Sequence, residues 1–463
     1  MKMKLTNLFA ILLLVCWYLN AGAQETNMNI DPSREVIHTI LPADGIVPYL
    51  PRDSGYYSEP VILSPQIGFK PLVNFFFRPE TTSNYKEAGM REDTGHLNFY
   101  LRGDFGAKIS LPKNIDLVAN LQSYGVYTRS FGPLDQNLTL YEAYVDMKKL
   151  DRRDHLSVRF GRMSLGKYGT EILVGDDDFT KGRSFESVRF RYKTNSSVSD
   201  VMWVQLYQAA PDSAGFEWNH PIFLGNFNTI HLSDHFHIDA NLIYIIDQFN
   251  NGYRTQVFMP DLRMYGNTSH LKYSAEVILQ TGQARGIITD AVHGKVNANA
   301  VEASAGYFTA EEKFSVDATY YRGSGDDDPT DDNLKSYNVL WQNEHRRFGY
   351  IDAFKGSNVQ AATLHINWNA GKLVTTGIHA VYANVLESKD RSTGIASIAN
   401  LNTLNTDSKA IGIGADWYIN YYFSHNLNMQ LSASVFSPGD YFTAVNGIDK
   451  TMMRLYLMMA LKI

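Results

Sequence analysis

The chain has one cysteine, Cys16, and it lies inside the first apolar stretch, so a product cut after that stretch has none. Disulfides and thiolate-held metals are excluded for such a product. Long apolar runs are equally scarce. Residues 8–19 form one of about 12 residues, short of the roughly 20 that a transmembrane helix needs, and nothing downstream is longer. Excess positive charge is also missing: 42 Lys and Arg against 48 Asp and Glu give a formal charge of −6, which argues against nucleic acid as a partner. Catalytic signatures are absent too. There is no Ser-His-Asp order, no phosphate-binding glycine loop and no pair of histidines at metal-ligand spacing. His365 and His379 fall on different strands, and His235 and His237 read as strand-edge residues. A secreted β-rich hydrolase would need two catalytic carboxylates that nothing in the chain singles out. No enzyme, cofactor or metal is expected.

What the chain does have begins with a secretory leader. Lys2 and Lys4 precede the apolar stretch, and Ala21-Gly22-Ala23 gives a small-residue cleavage site, so the mature chain is expected to start at Gln24. Val15 before Cys16 is too large for a lipoprotein site. Losing the two lysines leaves a mature charge of about −8. Residues 24–66, with Pro32, Pro42, Pro48, Pro51, Pro60 and Pro65, read as a short periplasmic lead-in. The domains expected are therefore 1–23 leader, 24–66 lead-in and 67–463 main body.

The main body alternates apolar and polar residues. Within 138–192, Thr139, Tyr141, Ala143, Val145 and Met147 oppose Glu142, Tyr144, Asp146 and Lys148; Leu156, Val158 and Phe160 oppose Ser157 and Arg159; Val188, Phe190 and Tyr192 oppose Ser187, Arg189 and Arg191. A period of two means extended strands with one greasy face. Because the other face carries arginines, lipid outside and water inside is the cheapest arrangement. Strand starts are expected near Lys70, His96, Ile115, Thr139, His155, Phe185, Val201, Ile222, His237, Val257, His270, Asn297, Lys313, Val359, Leu373, Lys409, Leu427 and Met452. That makes about eighteen, the even number a single-chain bacterial barrel requires. The fold class is all-β: one transmembrane antiparallel β-barrel in the outer membrane of a Gram-negative cell.

Connections support this reading. Residues 369–371 and 424–426 are tight turns, whereas 166–182, 323–357 and 388–408 are long and polar, as short periplasmic turns and long outer loops would be. Tyr141, Trp203, Tyr320, Trp368, Trp417 and Tyr418 are candidates for aromatic girdles. In the last strand Met453, Leu455, Leu457, Met459, Leu461 and Ile463 share one face, opposite Arg454, Tyr456 and Lys462. A strand that closes a barrel needs an apolar outer face to its end.

Parity also nominates lumenal residues. Arg102, Arg159, Arg189 and Arg191 fall on polar faces, where guanidinium groups favour anions; they can equally pair with Asp104, Glu142, Asp146 and Glu186 and brace the wall. Arg162 has the parity of the apolar face unless Gly161 marks a bulge. The stretch 326–332, with Asp326, Asp327, Asp328 and Asp331, lacks the Gly and Glu of an EF-hand; it reads as a solvated loop or as a gate folded into the pore. His345, Arg346 and Arg347 read as charge offsetting those acids. Asp176–Asp178 is read as solvated loop as well.

Two stretches resemble the alginate-export family of outer-membrane porins. One is Leu140-Tyr141-Glu142-Ala143-Tyr144-Val145 with Leu156-Ser157-Val158-Arg159-Phe160-Gly161-Arg162, Tyr168-Gly169 and Phe185-Glu186-Ser187-Val188-Arg189. The other is Gly323-Ser324-Gly325-Asp326-Asp327-Asp328-Pro329-Thr330-Asp331, then His345, Phe348-Gly349-Tyr350-Ile351-Asp352 and Ser357-Asn358. The resemblance implies a monomeric barrel of eighteen strands with an electropositive pore for an anionic polysaccharide. Two departures are that the chain is net acidic and that its lead-in, residues 24–66, holds nothing that matches the family. The function expected is a porin for anionic solutes, with alginate as one candidate; the alternative is a surface receptor or adhesion barrel with a filled lumen. Expected partners are outer-membrane lipid, the anionic solute and the barrel-assembly machinery.

Overall fold

The structure, a computed structural model, describes residues 61–64, 67–84, 97–128, 132–165, 182–205, 222–248, 254–285, 293–309, 313–328, 331–339, 344–371, 373–390, 407–424 and 426–462. The expected leader, nearly all of the expected lead-in, the stretch 176–178 and Ile463 lie outside these residues.

The long strands are β1 (Ile67–Ser83), β2 (Leu97–Leu111), β3 (Ile115–Thr128), β4 (Gly132–Met147), β5 (Leu156–Met163), β6 (Phe185–Lys193), β7 (Ser197–Gln205), β8 (Ile222–Ser233) and β9 (Phe236–Gln248). They continue with β10 (Arg254–Asn267), β11 (Leu271–Arg285), β12 (His293–Phe308), β13 (Phe314–Gly323), β14 (Val359–Asn369), β15 (Val374–Val385), β16 (Ala410–Tyr422), β17 (Leu427–Pro438) and β18 (Met452–Lys462). Two short helices, α1 (Glu344–Phe348) and α2 (Asp440–Asn446), lie in connections. Each strand pairs antiparallel with the next, and β18 returns to β1 in register from Asn74↔Lys462 to Ser83↔Met453. The sheet is thus a closed barrel of 18 strands, the architecture of outer-membrane porins. Two minor strands attach to it: Val61–Ser64 folds back on β1, and Asn333–Leu334 runs parallel to β12.

Closure is what allows such a sheet to live in hydrocarbon, since no backbone edge is left unpaired. The side chains sort accordingly. On β11, Leu271, Val277 and Leu279 are exposed outward while Ser274, Glu276, Ile278 and Gln280 are buried inward. On β18, Met453 and Leu455 are exposed and Arg454, Tyr456, Met458 and Ala460 are buried. Aromatics exposed on the outer face gather near the short turns (Tyr307, Phe314, Trp368, Tyr421 and Phe423) and near the long connections (Trp203, Tyr320 and Tyr382), the placement of two interfacial girdles. An Arg placed on the lipid side should therefore be costly. Leu279→Arg is expected to destabilise the folded barrel in vesicles by about 2–4 kcal/mol, read by urea titration, while Lys272→Arg on the inner face is expected to leave the midpoint nearly unchanged.

Three sequence expectations need correcting. Tyr141 is not on the outer face: the β3–β4 register slips between Asn120/Glu142 and Leu121/Leu140, so Tyr141 is a bulge residue. It turns inward to the Arg102 guanidinium, 5.3 Å from its ring. Tyr418 is also inward, fully buried, and hydrogen-bonded at 2.8 Å to His365 Nε2. Third, β4 starts at Gly132 rather than near Thr139, because barrel strands need not alternate once they rise past the membrane. Gly161 resolves the Arg162 question. Its φ of +122° and a Cβ position only 2.3 Å from the Ala143 carbonyl oxygen require glycine, yet the register runs unbroken from Arg159 to Arg162. Arg162 therefore keeps its outward parity, and at the end of β5 it pairs with Glu186 at 2.6 Å.

The interior has two zones. Towards the short turns the inner wall is polar. Towards the long connections it is apolar: Met163, Phe185, Met202, Val204, Phe223, Ile243, Met259, Val359, Val381, Val385, Ile411 and Phe436 belong to one buried cluster. The expectation of a charged lumen holds for the first zone, and in the second where Arg78 and Glu80 on β1 meet Arg454 on β18.

Candidate functional site

The polar zone is built from strand parity. Arg102 on β2 donates from Nε to Asp104 Oδ1 at 3.2 Å, and Asp104 also accepts from Gln122 at 2.8 Å and Asn74 at 3.0 Å. Arg159 on β5 bonds Asp146 at 2.6 Å and lies 4.3 Å over the Tyr144 ring. Arg191 on β6 grips Asp200 through two bonds of 2.9 Å, the bidentate geometry that suits guanidinium and carboxylate. Arg189 is buried and stands directly opposite Arg159 in the β5–β6 register. Like charges facing each other across two strands are normally unfavourable. Glu142 faces Asn120 and accepts from the Ser164 backbone N–H at 3.2 Å.

The inner wall farther round carries the opposite sign. Asp239, Asp261, Glu276, Glu302 and Asp317 on β9 to β13 are all inward, with Arg263 and Lys272 among them. Sequence alternation sets Glu276 and Lys272 on the polar face of their strand; it passes over Asp239, Asp261, Glu302 and Asp317, although the same parity rule finds them. Asp261, for instance, is buried beside Leu262, which is exposed outward.

Packed into the apolar zone are the described residues of the connection between β13 and β14, which are 324–328, 331–339 and 344–358. Its Tyr337, Phe348, Ile351, Ala353 and Phe354 join the wall cluster, as do Tyr441, Phe442 and Val445 of α2. Each large side chain buried this way contributes about 1.5–3 kcal/mol. Polar contacts then fix the loop to many strands. Asn338 exchanges two bonds of 2.8 Å with Gln280 on β11, Arg347 bonds Glu302 on β12 at 2.6 Å, and Tyr321 on β13 donates to the Gly356 carbonyl at 2.7 Å. Gln430 on β17 donates to the Tyr350 hydroxyl at 2.7 Å. Arg454 on β18 is the hub: it donates to Asp352 at 2.9 Å, to Glu80 of β1 at 2.8 Å, and to the Tyr350 carbonyl.

His345 and Arg347 therefore do not offset the acids upstream. They are buried against the wall, where His345 Nδ1 meets Asp352 at 2.6 and 2.7 Å. Burial, reinforced by Arg454 and Arg78, pushes the His345 imidazole well below its usual range; burial also lifts the Asp352 carboxyl to about 7 despite Arg454. A neutral imidazole bonded to that carboxyl is the state this site favours.

The acids of the loop take local roles. Asp327 pairs with Lys335, which holds its carboxyl low, and Asp331 is held low by Asn333. Asp326 is buried, which raises it, and its N–H donates to Asp390 at 2.9 Å. Asp328 donates its N–H to Asp326 at 3.2 Å. Among the described residues no three His, Cys, Asp or Glu side chains are grouped to hold a metal.

With this geometry in hand, comparison with known proteins is specific. The family model described as "Alginate export" matches residues 105–455. No curated protein matches. Among solved structures, Pseudomonas aeruginosa OccD3 (OpdP) is similar with a TM-score of 0.56 at 9% identity, over 84% of this chain and 90% of that one. Pseudomonas aeruginosa OccK8 (OprE) gives 0.55 at 8%, covering 85% and 98%. Acinetobacter baumannii OccAB1 gives 0.55 at 12%, covering 85% and 97%. At these identities the likeness is one of fold. The family match spans most of the strands and the loop-bearing half of the chain, and the chain therefore belongs to the alginate export family of outer-membrane β-barrels.

Proposed function

We propose that this barrel is an outer-membrane channel for anionic solutes, an acidic polysaccharide such as alginate among them, and that its wall arginines carry the solute by exchanging partners. The observation that carries this reading is the cross-strand pair Arg159 and Arg189 on the inner wall, with Arg191 two residues along β6. An arginine already held by Asp104, Asp146 or Asp200 binds a passing carboxylate only in competition with that partner. Such binding is weak and repeated along the wall, as conduction requires. The acids on β9 to β13 steer the same solute away from the far wall. On this reading the long connections face the cell exterior and the short turns the periplasm, the leader is removed on secretion, and the barrel acts alone in the bilayer.

Planar-bilayer recording across a salt gradient tests it. Steady single-channel steps with a reversal potential biased toward anions are expected; a cation bias would overturn the anion reading. A second reading, a surface receptor with a filled lumen, is favoured by the apolar packing of residues 324–358 against the inner wall. Absence of current from correctly folded barrel would select it.

A further inference from the structure

The β8–β9 hairpin ends at a short turn, and two histidines meet just inside it. His231 and His237 are register partners, and their Nδ1 atoms lie 2.9 Å apart with the rings nearly perpendicular. The meeting depends on a bulge. Phe236 pairs with Ser233 but His237 pairs with His231, so Leu232 is skipped; without that extra residue His237 would face Leu232, and the two imidazoles would sit on opposite faces. Both share the inward parity of Asp239 on β9. His237 is further positioned by Tyr265, with ring centroids 5.2 Å apart, and the Arg263 guanidinium lies 4.4 Å over the Tyr265 ring.

We propose that His231 and His237 chelate one divalent transition-metal ion of the zinc, copper or nickel type at the short-turn mouth of the barrel. The spacing is the argument. Two imidazole nitrogens each about 2.0–2.1 Å from one metal, at angles between square and tetrahedral, stand roughly 2.9–3.4 Å apart, and this pair already stands at 2.9 Å. Imidazole is the ligand that suits these metals over calcium or magnesium. Without metal the same approach is an Nδ1–H donating to the other ring's Nδ1. No third His, Cys, Asp or Glu completes a cage among the described residues, so the remaining positions go to water or to a solute carboxylate. Asp239, two residues along, is occupied by the Thr229 hydroxyl at 2.8 Å. The site goes beyond the transport reading and does not need it.

Zinc chloride titrated calorimetrically into tag-free, detergent-folded barrel is the test. One equivalent is expected to bind. His231→Ala and His237→Ala are each expected to weaken it at least about tenfold, whereas His235→Ala, exposed in the turn, is expected to change it less than about twofold. If either alanine variant loses its β-sheet circular dichroism, His237→Gln replaces it. Wild-type barrel that binds no zinc, or variants at 231 and 237 that bind it as wild type does, would overturn the proposal.

Discussion

Arg454→Met is expected to raise single-channel conductance several-fold by releasing residues 324–358 from the inner wall. Arg454 is buried and joins three partners at once: Glu80 on β1, and Asp352 and the Tyr350 carbonyl on the loop. Methionine keeps most of the side-chain volume and removes every donor. Breaking a buried ion pair by losing one partner costs about 3–5 kcal/mol, which at about 1.4 kcal/mol per decade shifts the docked-to-undocked ratio by a hundredfold or more. Glu80 retains Arg78 at 3.3 Å and Asp352 retains His345, so the loss falls on loop docking and not on closure of the β1–β18 seam. Phe354→Ala attacks the same docking through the apolar cluster, at about 3–5 kcal/mol, and should act in the same direction. Conductance unchanged in both variants would mean that the loop does not obstruct the path.

The second large effect concerns charge and has opposite signs at neighbouring residues. Asp146→Asn should increase anion preference, because it frees the Arg159 guanidinium it now holds at 2.6 Å; Arg159→Ala and Arg189→Ala should decrease it. A unit charge acting over about 4 Å in water is worth about 1 kcal/mol, so the permeability ratio should move roughly fivefold in each direction. Reversal potentials in a salt gradient measure this directly. Selectivity that does not respond to any of the three would make these residues braces of the wall and nothing more.

How far these features were readable beforehand depends on what each residue's neighbours do. Strand positions were legible because a barrel in lipid has to alternate, and the starts expected at Ile115, Phe185, Ile222, Val359, Leu427 and Met452 coincide with those observed. Parity fails where the backbone breaks step. The bulge at Tyr141 carries no local marker, since Leu140-Tyr141-Glu142 reads as ordinary alternation. The apolar inner zone left a trace that alternation alone does not account for: Val201-Met202-Trp203-Val204 and Leu242-Ile243-Tyr244-Ile245-Ile246 are apolar on both faces, as strands covered on both sides must be. The loop's inward fold could not be read from Arg347, because its partner Glu302 lies 45 residues away on another strand. Likewise His231 and His237 reveal nothing by spacing; only the skipped Leu232 brings them together.

The absence of cysteine after residue 16 makes one measurement unusually clean. Single cysteines introduced along β11 in a Cys16→Ser background can carry an environment-sensitive fluorophore while nitroxide lipids quench from the acyl region. Quenching is expected at 275, 277 and 279 and not at 276, 278 and 280, with Ile278 decisive because it is apolar yet turned inward. Quenching that follows hydrophobicity instead of parity, or no quenching at any site, would contradict a wall that separates hydrocarbon from the barrel interior.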